Sequence, residues 1–184
     1  MALRLLAIDA ASKFGWAFGS TDQMPVSGNA RFADPGSEHE AYFAGAWRWM
    51  HDTIREYRPQ AICMEAPLHL GKNTTAKTTE LLNGIQACLR CNARQNSVFR
   101  VKVINQSTVR AFFIPRTPVK RGEKRPRLDS EQLKMLARKR CIELGFIDQS
   151  VTSLDQTDAL AVWAWGVHFY DPENAKRFSQ LRAA

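Results

Sequence analysis

The sequence predicts an α/β protein built on a mixed sheet flanked by helices. Two observations carry this: an almost uninterrupted apolar run at residues 3–10, and a chain that then alternates strand-like and helix-like periods. The chain has 184 residues and is 45% hydrophobic, enough to bury a sizeable core, and no stretch of it reads as a linker, so one domain over 1–184 is expected.

Residues 3–10 are apolar on both strand faces and end in Asp9, as in a central strand. Residues 14–19 and 26–32, separated by turns, continue as two more strands of a meander. Apolar residues at helical spacing over 38–57 predict a long helix that Pro59 stops. Residues 60–64 form a short strand that delivers Glu65, and Pro67 ends it. A second helix is expected over 74–94 from the stripe Leu81, Leu82, Ile85, Cys88 and Leu89. Residues 98–104 alternate and read as a half-exposed strand. A short helix capped by Ser107 runs to Phe113.

Residues 115–128 change character. They hold Arg116, Lys120, Arg121, Lys124, Arg125 and Arg127 against Glu123 alone, with three Pro and one Gly, as in an exposed basic loop reaching to about 129. A helix opened by Ser130 follows to Leu144 and Gly145, and a last apolar helix over 159–169 is preceded by Asp155 and Asp158.

Lys and Arg total 26 against 18 Asp and Glu, a formal net charge of +8 that favours polyanionic partners. Apolar runs are too short to span a bilayer and the start lacks a signal-peptide pattern, so a cytoplasmic protein with no membrane attachment is expected. Four Cys do not make a disulfide framework in a chain this size. Cys88 and Cys91 have the spacing of half a zinc site without a second half, and packing is the better reading.

Acids at the ends of buried strands need compensation, because an unpaired buried carboxylate is destabilised or forced to protonate. Asp9 and Glu65 are two such residues. Asp155 and Asp158, three apart, share one helix face if the helix includes them. A divalent cation relieves the repulsion among clustered acids, and oxygen-only donors select hard ions such as magnesium or manganese. Such ions activate water and stabilise a phosphodiester under attack.

These stretches resemble a family. Residues 6–17 (Leu-Ala-Ile-Asp-Ala-Ala-Ser-Lys-Phe-Gly-Trp-Ala), 61–65 (Ala-Ile-Cys-Met-Glu) and 155–162 (Asp-Gln-Thr-Asp-Ala-Leu-Ala-Val) are similar, in the same order, to the motifs of RuvC-type Holliday junction resolvases. The resemblance implies a ribonuclease H-like fold with a five-stranded mixed sheet. It also implies a homodimer and magnesium-dependent paired incisions in branched DNA such as four-way junctions, two ions being held and manganese able to substitute. Asp9, Glu65, Asp155 and Asp158 match the family's four catalytic, metal-binding carboxylates. Lys72, Asn73 and Lys77 fall in the segment before a helix that builds the family's dimer interface, and Arg110 lies in the stretch before its basic loop. DNA contact is expected from these four and from Arg116, Lys120, Arg121, Lys124 and Arg125. A small enzyme of this kind would suit a phage or prophage.

The chain departs from the family at Pro67-Leu68-His69-Leu70, where an aromatic residue often follows the second acid, and at residues 112–115, which replace a Gly-rich turn. Three rivals remain at this point. A structure-selective or ribonuclease H-type nuclease would use the same acids. An actin-like ATPase would need a second Gly-rich phosphate loop. A non-catalytic recombination scaffold would keep the basic loop and have no need of the acids.

Overall fold

A computed structural model describes residues 2–67, 75–114 and 128–176. The element order is β1 (Arg4–Asp9), β2 (Lys13–Ser20), β3 (Val26–Arg31), α1 (His39–Tyr57), β4 (Ala61–Glu65), α2 (Ala76–Gln95), β5 (Val101–Ile104), α3 (Gln106–Phe113), α4 (Ser130–Glu143), α5 (Leu154–Tyr170) and α6 (Pro172–Ala175). The five strands form one sheet in the order β3-β2-β1-β4-β5. The meander β1-β2-β3 is antiparallel, whereas β4 and β5 run parallel to β1. This is the mixed five-stranded sheet expected from the sequence.

The apolar run of β1 is explained by two cores. Leu5 and Ala7 face a layer made by α3, α4 and α5, while Leu6 and Ile8 face α1 and α2. β4 divides in the same way, Ala61 and Cys63 against Ile62 and Met64. All eight are fully buried, so neither strand could alternate apolar with polar residues.

Local chemistry sets the helix ends. The C-cap of α1, Arg58, adopts the left-handed conformation at φ 48° and its N–H returns to the Ile54 carbonyl. Thr75 caps α2 by accepting from the Thr78 N–H, and Ser153 caps α5 by accepting from the Gln156 N–H. Two expected caps are corrected. Ser130 is the first residue within α4, and the cap is Asp129, in a reciprocal capping box with Gln132. Ser107 lies inside α3, whose N-cap Asn105 makes no side-chain capping bond. Similarly, β5 begins at Val101 rather than residue 98.

Of the stripe on α2, Ile85 and Leu89 are buried in the α1/α2 core and Leu81 and Cys88 pack against it, while Leu82 is half-buried. Among the described residues, no helix is long and apolar enough to cross a membrane.

Candidate active site

The site forms where the two central parallel strands run out of apolar residues. Ile8 of β1 stands opposite Met64 of β4, so the next residue on each strand, Asp9 and Glu65, emerges side by side at the same sheet end. Gln86 of α2 donates from Nε2 to the Glu65 carbonyl at 2.9 Å and secures the end of β4.

Helix α5 brings the other two acids. Asp155 lies in its first turn and Asp158 one turn on, so the helix does include both. Its approach depends on Gly15, the β2 residue paired with Asp9. A Cβ built there would lie 1.9 Å from the Asp155 carbonyl oxygen, a distance at which the first turn of α5 could not dock. Glycine thus allows the helix start to sit on the β1–β2 pair beside the strand ends.

The electrostatics show how close the acids are. Asp9 is held well above the usual carboxylate range, first by burial and then by the charges of Glu65 and Asp158, with Lys134 acting in the other direction. Burial and the Asp158 charge push Glu65 up to about 7, against the lowering pull of Gln106, Arg110 and Lys134. Asp158 is raised by burial, with Lys134 and Arg110 opposing. Glu65 and Asp158 are 6% and 5% exposed, well below what an unpaired acid tolerates.

Compensation is present but incomplete. Lys13 Nζ lies 3.1 Å from Asp155 Oδ2. Lys134 Nζ stands 3.7 Å from Asp158 Oδ2, an ion pair longer than a hydrogen bond, and that buried oxygen has no hydrogen-bond partner among the described residues. Arg110 Nη2 is likewise buried without one. The donor set is all oxygen and suits a hard divalent cation. Among the described residues no three His, Cys, Asp or Glu side chains are already drawn together as a metal-holding group, so the acids are neighbours in a loose cluster rather than a closed ligand cage.

Neither the protein-family models nor the curated protein sequences contain a match to this chain. Solved structures do. Thermus thermophilus RuvC in complex with a Holliday junction substrate superposes with a TM-score of 0.59 at 12% identity, covering 87% of this chain and 89% of RuvC. A second Thermus thermophilus RuvC structure gives 0.59 at 14% identity over 87% and 90%. The yeast mitochondrial Holliday junction resolvase Ydc2 gives 0.58 at 13% identity, over 96% of this chain and 84% of Ydc2. The chain has the ribonuclease H-like fold of the RuvC resolvases. At identities this low it is the backbone arrangement that is shared.

Within this RuvC-like fold, all four predicted acids come to one end of the sheet. Of the residues expected to touch DNA, Lys77 is exposed in the first turn of α2. Arg110 is close enough to Glu65 and Asp158 for its charge to lower both. Lys72, Asn73, Arg116, Lys120, Arg121, Lys124 and Arg125 lie outside the described residues, as does His69.

Sequence reasoning missed Lys13, Gly15, Gln106 and Lys134 as parts of the site. For Lys134 a signal existed: Ala137 and Cys141, three and seven residues on, are buried, so Lys134 lies on the inward stripe of α4 where a cation needs a partner.

Proposed function

We propose that the protein is a magnesium-dependent endodeoxyribonuclease that hydrolyses phosphodiesters in branched DNA, four-way junctions foremost, as a homodimer. The observation that carries this reading is the convergence of half-buried Asp9 with buried Glu65 and Asp158 at one sheet end, mutually repelling and with an Asp158 carboxylate oxygen left without a hydrogen bond among the described residues. A structural role would leave such acids fully partnered. The junction-bound Thermus thermophilus RuvC and the yeast resolvase, which share the fold, support branched DNA as the substrate class.

Asp9, Glu65 and Asp158, with Asp155 at the rim, would hold the cation. When bound, it supplies an activated water and neutralises charge at the scissile phosphate. The chain's own cations have a separate task. Arg110 and Lys134 offset the acids in the free protein and present positive charge where a phosphate group would enter. The +8 net charge, and the Arg and Lys of 115–127, supply sequence-independent attraction to the DNA backbone. A homodimer would place two such sites on one junction, as paired incision requires.

The test is cleavage of a labelled four-way junction beside linear duplex, fork and RNA/DNA hybrid, with magnesium, with manganese and with chelator. Paired nicks in the junction, dependent on the metal and lost in Asp9→Asn while junction binding persists, are expected. Equal cutting of all branched and hybrid substrates would replace junction resolution by general structure-selective cleavage, and normal cutting by the variant would overturn the site.

A further inference from the structure

A second surface, at the sheet end remote from the acids, carries a different chemistry. Strand β5 is one of the two edge strands of the sheet, and among the described residues no strand pairs with its outer edge. Its start lies opposite Ile62, three positions before Glu65 on β4, and so at the end away from the carboxylates. An aromatic ring and a cation are paired on each side of this strand. On the α2 side, the Arg94 guanidinium lies 4.4 Å from the Phe99 ring centroid. On the α5 side, Lys102 Nζ lies 5.2 Å from the ring of Phe169, which stacks on Trp165 at 5.0 Å.

Phe99 is 62% exposed, more than any other large apolar side chain among the described residues. A ring this open, covered by a cation, has a face free for a flat aromatic partner, and the cation is already positioned for an anion beside it. The stretch of chain that forms the Phe99 side carries charge of one sign. From Leu81 to Ile114 the chain carries Arg90, Arg94, Arg100, Lys102 and Arg110 and not one Asp or Glu. Arg90, Arg94, Arg100 and Lys102 are all exposed, and Arg90, Arg94 and Phe99 line an open cavity of about 630 Å³. Stacking rings set among unopposed cations are what single-stranded nucleic acid binds, since every base offers a flat face and every linkage a phosphate. A duplex, its bases already stacked, could use only the cations.

From these placements we infer that the β5 edge is a second nucleic-acid site, taking an unpaired strand whose base stacks on Phe99 and whose phosphates lie against Arg94, Arg100 and Lys102. It goes beyond the nuclease reading and does not depend on it. In a branched substrate it would engage a strand unpaired away from the cleavage point.

Binding of a labelled oligothymidylate of about 20 nucleotides, longer than most single-strand footprints, to the full chain in chelator tests this. Phe99→Ala should weaken binding about tenfold, as loss of one base stack does, and Phe99→Trp should restore it. Arg100→Ala with Lys102→Ala should weaken binding and flatten its salt dependence, with the melting temperature unchanged in every variant. Junction cleavage by Phe99→Ala should match the wild type. Unchanged oligothymidylate affinity in Phe99→Ala would overturn the proposal. So would displacement by polyglutamate as effective as by DNA, or a change of oligomeric state in Phe99→Ala without loss of affinity, which would assign the face to an acidic protein or a second copy. If the wild type cuts no branched DNA yet its oligothymidylate binding depends on Phe99, the nuclease reading fails and this site stands.

Discussion

Asp158 and Asp171 belong to the two ends of helix α5, and the fold treats them in opposite ways. Asp171, the C-cap of α5 and N-cap of α6, accepts from the Thr21 hydroxyl and the Asn174 amide at Oδ2, and from the Asn174 N–H at Oδ1. Burial acts to raise it, but the bonds from Thr21 and Asn174 outweigh that and hold it below the usual carboxylate range. Asp158 is more deeply buried, faces Lys134 at 3.7 Å and, among the described residues, keeps an oxygen without a hydrogen bond. A carboxylate whose task is structural has its partners within the chain. One whose task is to meet something else is kept short of them, at a cost in stability that a ligand can relieve.

The contrast can be broken by exchange of charge. Asp158→Asn should lower single-turnover cleavage of a four-way junction by roughly a thousandfold or more, the scale on which one member of a concerted catalytic unit fails. Asp171→Asn, distant and satisfied, should stay within about twofold of the wild type. Equal losses in the two would erase the distinction.

A smaller effect is expected from Lys134→Met, which removes the cation facing Asp158. The maximal rate should fall about 10- to 100-fold, as for other groups that support metal-binding acids. At the same time the magnesium concentration for half-maximal rate should drop, because no ammonium competes for the acids. A merely structural lysine would not shift the magnesium dependence.

The two ends should also respond oppositely to pH. For Glu65, raised from 4.5 to about 7, the protonated form is favoured by folding, so its contribution is fully present below 4.5 and is lost as pH rises through about 7. In chelator at pH 8, Glu65→Gln should therefore melt about 5 °C above the wild type, with the gap closing near pH 4. Magnesium should reduce the gap by stabilising the wild type alone. For Asp171, lowered in the fold, the contribution is present above its unfolded value and is lost as pH falls. Asp171→Asn should then cost about 3 °C at neutral pH, the size of one lost cap, and less in acid. Differential scanning fluorimetry across pH measures both, and a common sign for the two variants would contradict the comparison.

Much of this arrangement is legible in the sequence. Asp9 and Glu65 are visible because each ends a short run whose residues on both faces are apolar, as in a central strand. Asp158 was visible as an acid opening the most apolar helix of the chain. Helix caps were less legible: Asp129 and Ser130 are both good capping residues, and which one caps rests on a single residue's backbone conformation. The α2 stripe announced a buried face without saying what buries it, since periodicity is the same for a core and for an interface.

The layers, the strands that end in acids and the excess of positive charge can be read from the chain alone. These follow from local periodicity and composition, which record which side chains must leave water. That Lys134 reaches Asp158, that Gly15 admits the first turn of α5, and that rings and cations gather at the β5 edge is seen only once the chain is folded. Apart from the Arg94–Phe99 contact, each of these joins segments remote in the chain, and their distance is set by how helices dock on the sheet, which no local pattern encodes.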